Sequence, residues 1–186
     1  TCAGPKTSVW RKTLKELKAF GHVIEKNIKI VFDVIRTHDV ACLLMGGQAC
    51  VLYGAAQFSK DIDFVVLADA DNFQKLLNAM DSLDASTIAV PPFDPGFLDE
   101  GLAVHFRCQA PGIEGLRVDV MTKMRGVDDF PQLWERRYSV DDGAGSVVNL
   151  LGVQDLVRAK KTQRDKDWPM IQRLVEVSYL NGGENP

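Results

Sequence analysis

Asp61 and Asp63 are the residues of this chain whose types and spacing point most directly to chemistry. They stand in Asp61-Ile62-Asp63-Phe64-Val65-Val66. A strand sends alternate side chains to opposite faces, so the two carboxylates share one face while Ile62, Phe64 and Val66 take the other. Like charges that close call for a compensating cation, and paired hard oxygen ligands suit Mg2+ bound together with substrate phosphates. Upstream, Gly46-Gly47 follows the apolar run Leu43-Leu44-Met45, with residues 48–60 between the glycines and Asp61. Without Cβ atoms the paired glycines let backbone N–H groups approach an anion closely, and a helix opening there adds its positive dipole end. An anion cradle and a metal pair are therefore expected side by side.

Two-metal phosphoryl chemistry calls for a further carboxylate from a neighbouring strand. The run Leu116-Arg117-Val118-Asp119-Val120-Met121 offers Asp119, with Leu116, Val118 and Val120 filling one face and Asp119 the other. The alternative is a solvent-facing Asp119 paired with Arg117 or Lys123. Farther on, Lys160 falls on the apolar stripe of Val153, Leu156 and Val157. A lysine there either snorkels its stem past the core or turns its ammonium into a cleft where phosphate would sit. A buried ammonium needs a partner, and the expected one is Asp119 or its neighbours. Asp165 or Asp167 would cap the last helix, with Pro169 in its first turn. His22, His38 and His105 are scattered and read as surface or core residues rather than ligands. Of the cysteines at 2, 42, 50 and 108, none has metal-ligand spacing. Cys42, Cys50 and Cys108 lie in apolar segments and read as buried free thiols of a reducing cytosol.

The elements that must position these residues follow from periodicity. Leu43 to Leu67 reads as strand, Gly-Gly turn, short helix and second strand. Val9 to Phe20 has apolar residues at three- and four-residue spacing among lysines and predicts an amphipathic helix broken by Gly21. Residues 1–7 read as a disordered lead. A second helix is expected from Ile24 to His38, then a buried strand from Val40 to Met45 and a helix from Asp69 to Met80. Ala89 to Gly101, with Pro91, Pro92, Pro95 and Gly96, reads as a loop, either a lid or a plain surface loop. Strands are expected over Leu102 to Cys108, Gly115 to Met121 and Ser146 to Leu151. A short helix is expected over Val127 to Arg137, a turn over Gly143 to Gly145, and a helical tail over Val153 to Leu180, interrupted near Asp165 to Pro169. The domain reading is a helical lead over 1–23, a core over 24–151 and C-terminal helices over 152–186.

Composition narrows the class. A charged fraction of 25% with 46% hydrophobic residues is that of an ordinary globular domain, and 186 residues suffice for a proper core. A net charge of -3 argues against coating nucleic acid by bulk electrostatics, while leaving room for local contact with RNA. No apolar run of about 18 residues and no signal-peptide pattern occurs, so no membrane partner is expected and the expected location is the cytoplasm.

The order Gly-Gly, then Asp-x-Asp followed by apolar residues, resembles the signature of the DNA polymerase beta-like nucleotidyltransferase superfamily. Within it, Gly46-Gly47-Gln48-Ala49 with Ser59-Lys60-Asp61-Ile62-Asp63-Phe64 is similar to small bacterial nucleotidyltransferases, including minimal ones and abortive-infection toxins. The motifs cover about a third of the chain. The resemblance implies an α/β nucleotidyltransferase fold, a small mixed sheet flanked by helices with a helical C-terminal extension. It also implies a third catalytic aspartate matching Asp119, and a cleft-facing lysine matching Lys160 ahead of Arg164-Asp165-Lys166-Asp167. Several relatives carry an arginine where this chain has Gln57, which removes a charge that could pair with phosphate. The implied reaction is transfer of a nucleoside monophosphate from an NTP such as ATP to a hydroxyl acceptor of unidentified kind. Asp61, Asp63 and Asp119 would hold two Mg2+ ions, with Gly46, Gly47, Ser59 and Lys160 on the phosphates. The alternative is a catalytically silent member of the fold that binds a nucleotide or a protein, as in a toxin-antitoxin pair.

Overall fold

Apolar stripes and short buried runs build the framework. In the computed structural model, residues 11–12, 24–88, 94–141, 147–161 and 167–180 are described. Helix α1 (Lys26–Thr37) buries Ile28, Val31, Phe32 and Ile35, the stripe that its spacing dictates. It leads into β2 (Cys42–Met45), buried at every position, and then without a spacer into α2 (Gly46–Tyr53). Strand β3 (Asp61–Val66) follows, then α3 (Ala70–Ser82), whose N-cap Asp69 accepts from the Asn72 N–H. Asn72 is itself buried. Its side-chain oxygen accepts from the Ala41 N–H at 2.7 Å, and its amide donates to the carbonyls of Ala41 and Leu67 at 3.1 and 2.9 Å. One side chain thereby ties the start of β2 to the end of β3.

The remaining elements are β4 (Ser86–Thr87), α4 (Pro95–Asp99), β5 (Val104–Arg107), β6 (Arg117–Met121), α5 (Phe130–Glu135), β7 (Tyr138–Asp141), β8 (Val147–Leu150), α6 (Val153–Lys161) and α7 (Trp168–Leu180). With β1 (Arg11–Lys12) they form an eight-stranded sheet in the order β1-β7-β8-β2-β3-β6-β5-β4. The sheet is mixed: β3 runs parallel to β6 and antiparallel to β2, while β5 runs antiparallel to β6. Ile62 and Phe64 of β3, Val118 and Val120 of β6, and Val104 and Phe106 of β5 are all buried. Phe32 of α1 meets Phe64 edge-on, with 6.3 Å between ring centroids. Full burial of each such side chain contributes roughly 1.5–3 kcal/mol. The opposite face of these central strands is the one that carries the carboxylates.

Helix α6 is held by a buried charge. Asp155 is 1% exposed, and Arg136 grips both of its oxygens at 3.0 Å while also reaching Asp128 at 2.7 Å. Tyr53 at the end of α2 donates to the Leu151 carbonyl at 2.9 Å, so the helix after the glycines and the start of α6 are linked directly.

Several expectations give way. Of the helix expected over Val9 to Phe20, the described residues Arg11 and Lys12 form a strand parallel to β7; the rest lies outside the described residues. Backbone pairing to an exposed sheet edge overrides the helical spacing there. The expected loop from Ala89 to Gly101 contains α4, because Asp94 accepts from the Gly96 N–H at 2.7 Å and Pro95 sits in the first turn. The helix expected over Val127 to Arg137 contracts to α5, and β7 and β4 were not anticipated. The turn at Gly143 to Gly145 lies outside the described residues, as do residues 162–166 of the interrupted tail. Pro169 stands in the first turn of α7, where its missing N–H costs nothing. No helix among the described residues is long and apolar enough to cross a membrane.

Candidate active site

Register brings the carboxylates together. In the parallel β3–β6 pair, Asp63 is the Cα partner of Asp119, and Asp61 is the partner of Arg117. Residues in register on neighbouring strands project to the same face, so Asp61, Asp63, Arg117 and Asp119 stand on one patch of sheet. Strand β5 extends the patch, with His105 opposite Asp119 and Arg107 opposite Arg117. Across the face the charge runs from acidic on β3 through mixed on β6 to basic on β5.

The glycines lie against this patch. Gly46 has φ +64°, and a Cβ there would lie 2.8 Å from Asp63 Cβ and overlap its carboxylate. A Cβ on Gly47 would collide with the Ser59 hydroxyl and come within 2.8 Å of Ser59 Cβ. The Gly47 N–H lies close enough to the Asp63 carboxylate to favour its charged form, so the amide of the paired glycines is near an oxyanion. Ser59 donates to the Asp61 carbonyl at 3.1 Å, and Gln48 Nε2 donates to the Ser59 carbonyl at 2.9 Å. These bonds pin the chain leading into β3. Burial, then the Asp119 charge, pushes the Asp63 carboxyl up to about 6, with the Gly47 N–H pulling the other way and the Asp61 charge adding to the rise. That is the mark of a carboxylate withdrawn from water, with other carboxylates close by.

Asp119 is 9% exposed and does not face solvent. Its Oδ1 accepts from Arg117 Nε at 2.7 Å and lies 2.8 Å from His105 Nδ1, while Arg117 NH2 lies 2.9 Å from the same His105 nitrogen. A single imidazole nitrogen either donates or accepts. With Nδ1 protonated it donates to Asp119 and cannot accept from Arg117. His105 is thus a neighbour of the candidate site that a scattered histidine gave no reason to select. The signal available was parity alone: His105 alternates with buried Val104 and Phe106.

Lys160 is 6% exposed, and its Nζ lies 3.9 Å from Asp167 Oδ1. The expected partner was Asp119 or its neighbours. The structure instead pairs Lys160 with the residue that immediately precedes α7, because α6 and α7 pack against each other. At 3.9 Å the contact is an ion pair and not a hydrogen bond. Lys160 still weakly favours the charged form of Asp63, so its field reaches that carboxylate. Arg164, Asp165 and Lys166 lie outside the described residues. Cys42, Cys50 and Cys108 are free and buried. Burial pushes Cys42 up to about 12 and Cys50 and Cys108 up to about 11, which leaves all three as inert thiols.

The donor set suits a hard cation in kind: paired carboxylates whose mutual repulsion already raises one pKa. Its arrangement is incomplete, since among the described residues no three His, Cys, Asp or Glu side chains converge as metal ligands. Asp119 Oδ1 is engaged by Arg117 and His105. Two cavities of about 70 and 360 Å3 are lined by other residues, the smaller by Gln48, Phe58 and Ser59 beside α1 and the larger by Phe32, Phe64 and Trp134 behind the sheet. Neither includes a site carboxylate.

A mixed sheet flanked by helices, with a Gly-Gly turn against an Asp-x-Asp strand, makes this a nucleotidyltransferase fold. A solved structure it resembles is that of the lincosamide antibiotic adenylyltransferase LnuA with lincomycin bound, at a TM-score of 0.56 and 14% identity over 83% of this chain and 98% of that one. At that identity the likeness is one of fold. No protein-family model matches the chain, and no curated protein matches it either.

Proposed function

We propose that this protein is a metal-dependent nucleotidyltransferase. The observation that carries the reading is the placement of Asp61, Asp63 and Asp119 on one face beside the close approach of Gly46 and Gly47 to Asp63 and Ser59. In the reaction, the oxygen of an acceptor hydroxyl attacks the α-phosphorus of an NTP. The bond from that phosphorus to the bridging oxygen breaks, pyrophosphate leaves, and the hydroxyl proton passes to Asp119 and on to solvent. Asp61, Asp63 and Asp119 would hold two Mg2+ ions, which when bound supply a lowered acceptor pKa and neutralise the leaving group. Gly46, Gly47 and Ser59 would hold phosphate oxygens, and the Lys160 ammonium would add a counterion from the helical side.

The fold neighbour is named an adenylyltransferase of an antibiotic. This supports ATP as the nucleotide and a small hydroxyl compound among the acceptors, beside a protein side chain and an RNA 3′ end. The likeness to small bacterial and abortive-infection nucleotidyltransferases rests on the motif residues. A second reading, a silent binding module of the same fold, draws support from the engagement of Asp119 with Arg117 and His105. The deciding experiment is incubation of the protein with each α-labelled NTP, Mg2+ and a cell lysate, with Asp61→Asn/Asp63→Asn as control. The catalytic reading expects one lysate fraction to retain label with the parent only. Equal labelling by parent and control overturns it.

A further inference from the structure

The unconverged ligand set and the site's basic neighbours have one common element, Arg117. Its Cα is in register with Asp61, its Nε is 2.7 Å from Asp119 Oδ1, and its side chain is 38% exposed. The guanidinium therefore sits among the carboxylates with an open route to solvent. The hydrogen bond to Asp119, then the charges of Asp119, Asp61 and Asp63, hold its pKa above the ordinary value. On its other side stands Arg107, directly opposite on β5. Like charges at such a cross-strand position repel, and the bond to Asp119, with His105 Nδ1 2.9 Å away, holds Arg117 in this seat.

We propose that Arg117 is a tethered counterion of the carboxylate site: in the cation-free protein its guanidinium neutralises the cluster and holds Asp119 through Oδ1, and a divalent cation displaces it on binding. This rests on the reading of Asp61, Asp63 and Asp119 as cation ligands. A guanidinium and a dication compete for the same negative field, and at separations of a few ångströms their repulsion is large even in a well-screened site. Displacement frees Asp119 Oδ1 to turn toward Asp63, its register partner. Arg117 acts through Asp119 and is a positioning residue.

The sign of the effect separates this from a structural role. Loss of a residue that merely props Asp119 weakens cation binding, whereas loss of a competing charge strengthens it. The test is Mn2+ titration without nucleotide, followed by the electron paramagnetic resonance of free Mn2+, on the parent, Arg117→Gln and Arg117→Lys. Arg117→Gln is expected to bind about tenfold more tightly, equivalent to ~1.4 kcal/mol, and Arg117→Lys, which keeps the charge, to bind like the parent. Unchanged or weaker binding by Arg117→Gln overturns the inference. Should that variant not fold, the parent's own Arg117 Nε–H resonance, assigned by its absence in Arg117→Lys, decides. It is expected to leave its hydrogen-bonded position and exchange faster on Mg2+ saturation, and a resonance unmoved at saturation overturns the inference. A parent that binds no Mn2+ overturns this inference and the nucleotidyltransferase reading together. A parent that binds, with no gain in Arg117→Gln, removes this inference alone.

Discussion

Replacing Asp63 by Asn removes a charge at almost constant volume and turns the crowding of the site into a measurable free energy. The Asp63 carboxyl lies at about 6 in the folded protein against an ordinary 3.8. About two pKa units at 1.36 kcal/mol each make roughly 3 kcal/mol. The folded pKa is the higher of the two, so the folded state binds the proton more tightly. Below about pH 4 the group is protonated in both states and contributes nothing. As pH rises from about 4 to about 6 the unfolded chain ionises first, and the folded state is destabilised progressively. Above that window the penalty is constant. The Asn variant is therefore expected to unfold at nearly the parental urea midpoint near pH 4 and to be more stable by about 3 kcal/mol at pH 7 to 8. The difference between the two proteins, measured in chelator, isolates this group from every other titration. Mg2+ is expected to stabilise the parent and leave the variant unmoved. A difference that is flat between pH 4 and 8, or a variant less stable than the parent at pH 8, refutes the reasoning.

Two further outcomes are expected. Lys160→Met keeps most of the stem and removes a buried charge, so the variant is expected to fold at least as well as the parent while binding Mg-NTP more weakly by about 1.5–3 kcal/mol; equal ligand-induced shifts in thermal melts remove Lys160 from the site. Arg136→Met strands the Asp155 charge with only the longer 3.4 Å contact to Arg158, and a loss of about 3 kcal/mol is expected in urea denaturation. A loss below about 1 kcal/mol, the range of exposed ion pairs, shows that Arg136 does not hold α6 in place.

Parity made the shared face of Asp61, Asp63 and Asp119 legible, because a strand's alternation is local and both strands carry buried Val, Ile or Phe at the intervening positions. Helices α1 and α3 were legible for the same reason at period 3.6. Strands β1 and β4 were not, since each is too short to show alternation and exists by pairing with a neighbour distant in sequence. The contact of His105 with Asp119 depends on the β5–β6 register, and that of Lys160 with Asp167 on the packing of α6 against α7. No spacing in the chain encodes either. Asp155 carries no local signal of burial, which follows from Arg136 arriving from the other side.

The Asn72 bridge and the direct run from β2 into α2 also bear on how the molecule comes into being. Glycine turn, Asp-x-Asp strand and the amide that joins the strand ends all lie between residues 41 and 72, a region of short loop closures that can form early. Asp119 must be brought in parallel beside Asp63 by a long crossover, Arg117 comes with it on the same strand, and Lys160 follows later still. During synthesis the half with the glycine turn and the Asp-x-Asp strand thus precedes both Asp119 and its guanidinium partner. A partly made chain can present Asp61 and Asp63 without Arg117, and it is the emergence of β6 that brings both this guanidinium and the added charge of Asp119 beside them.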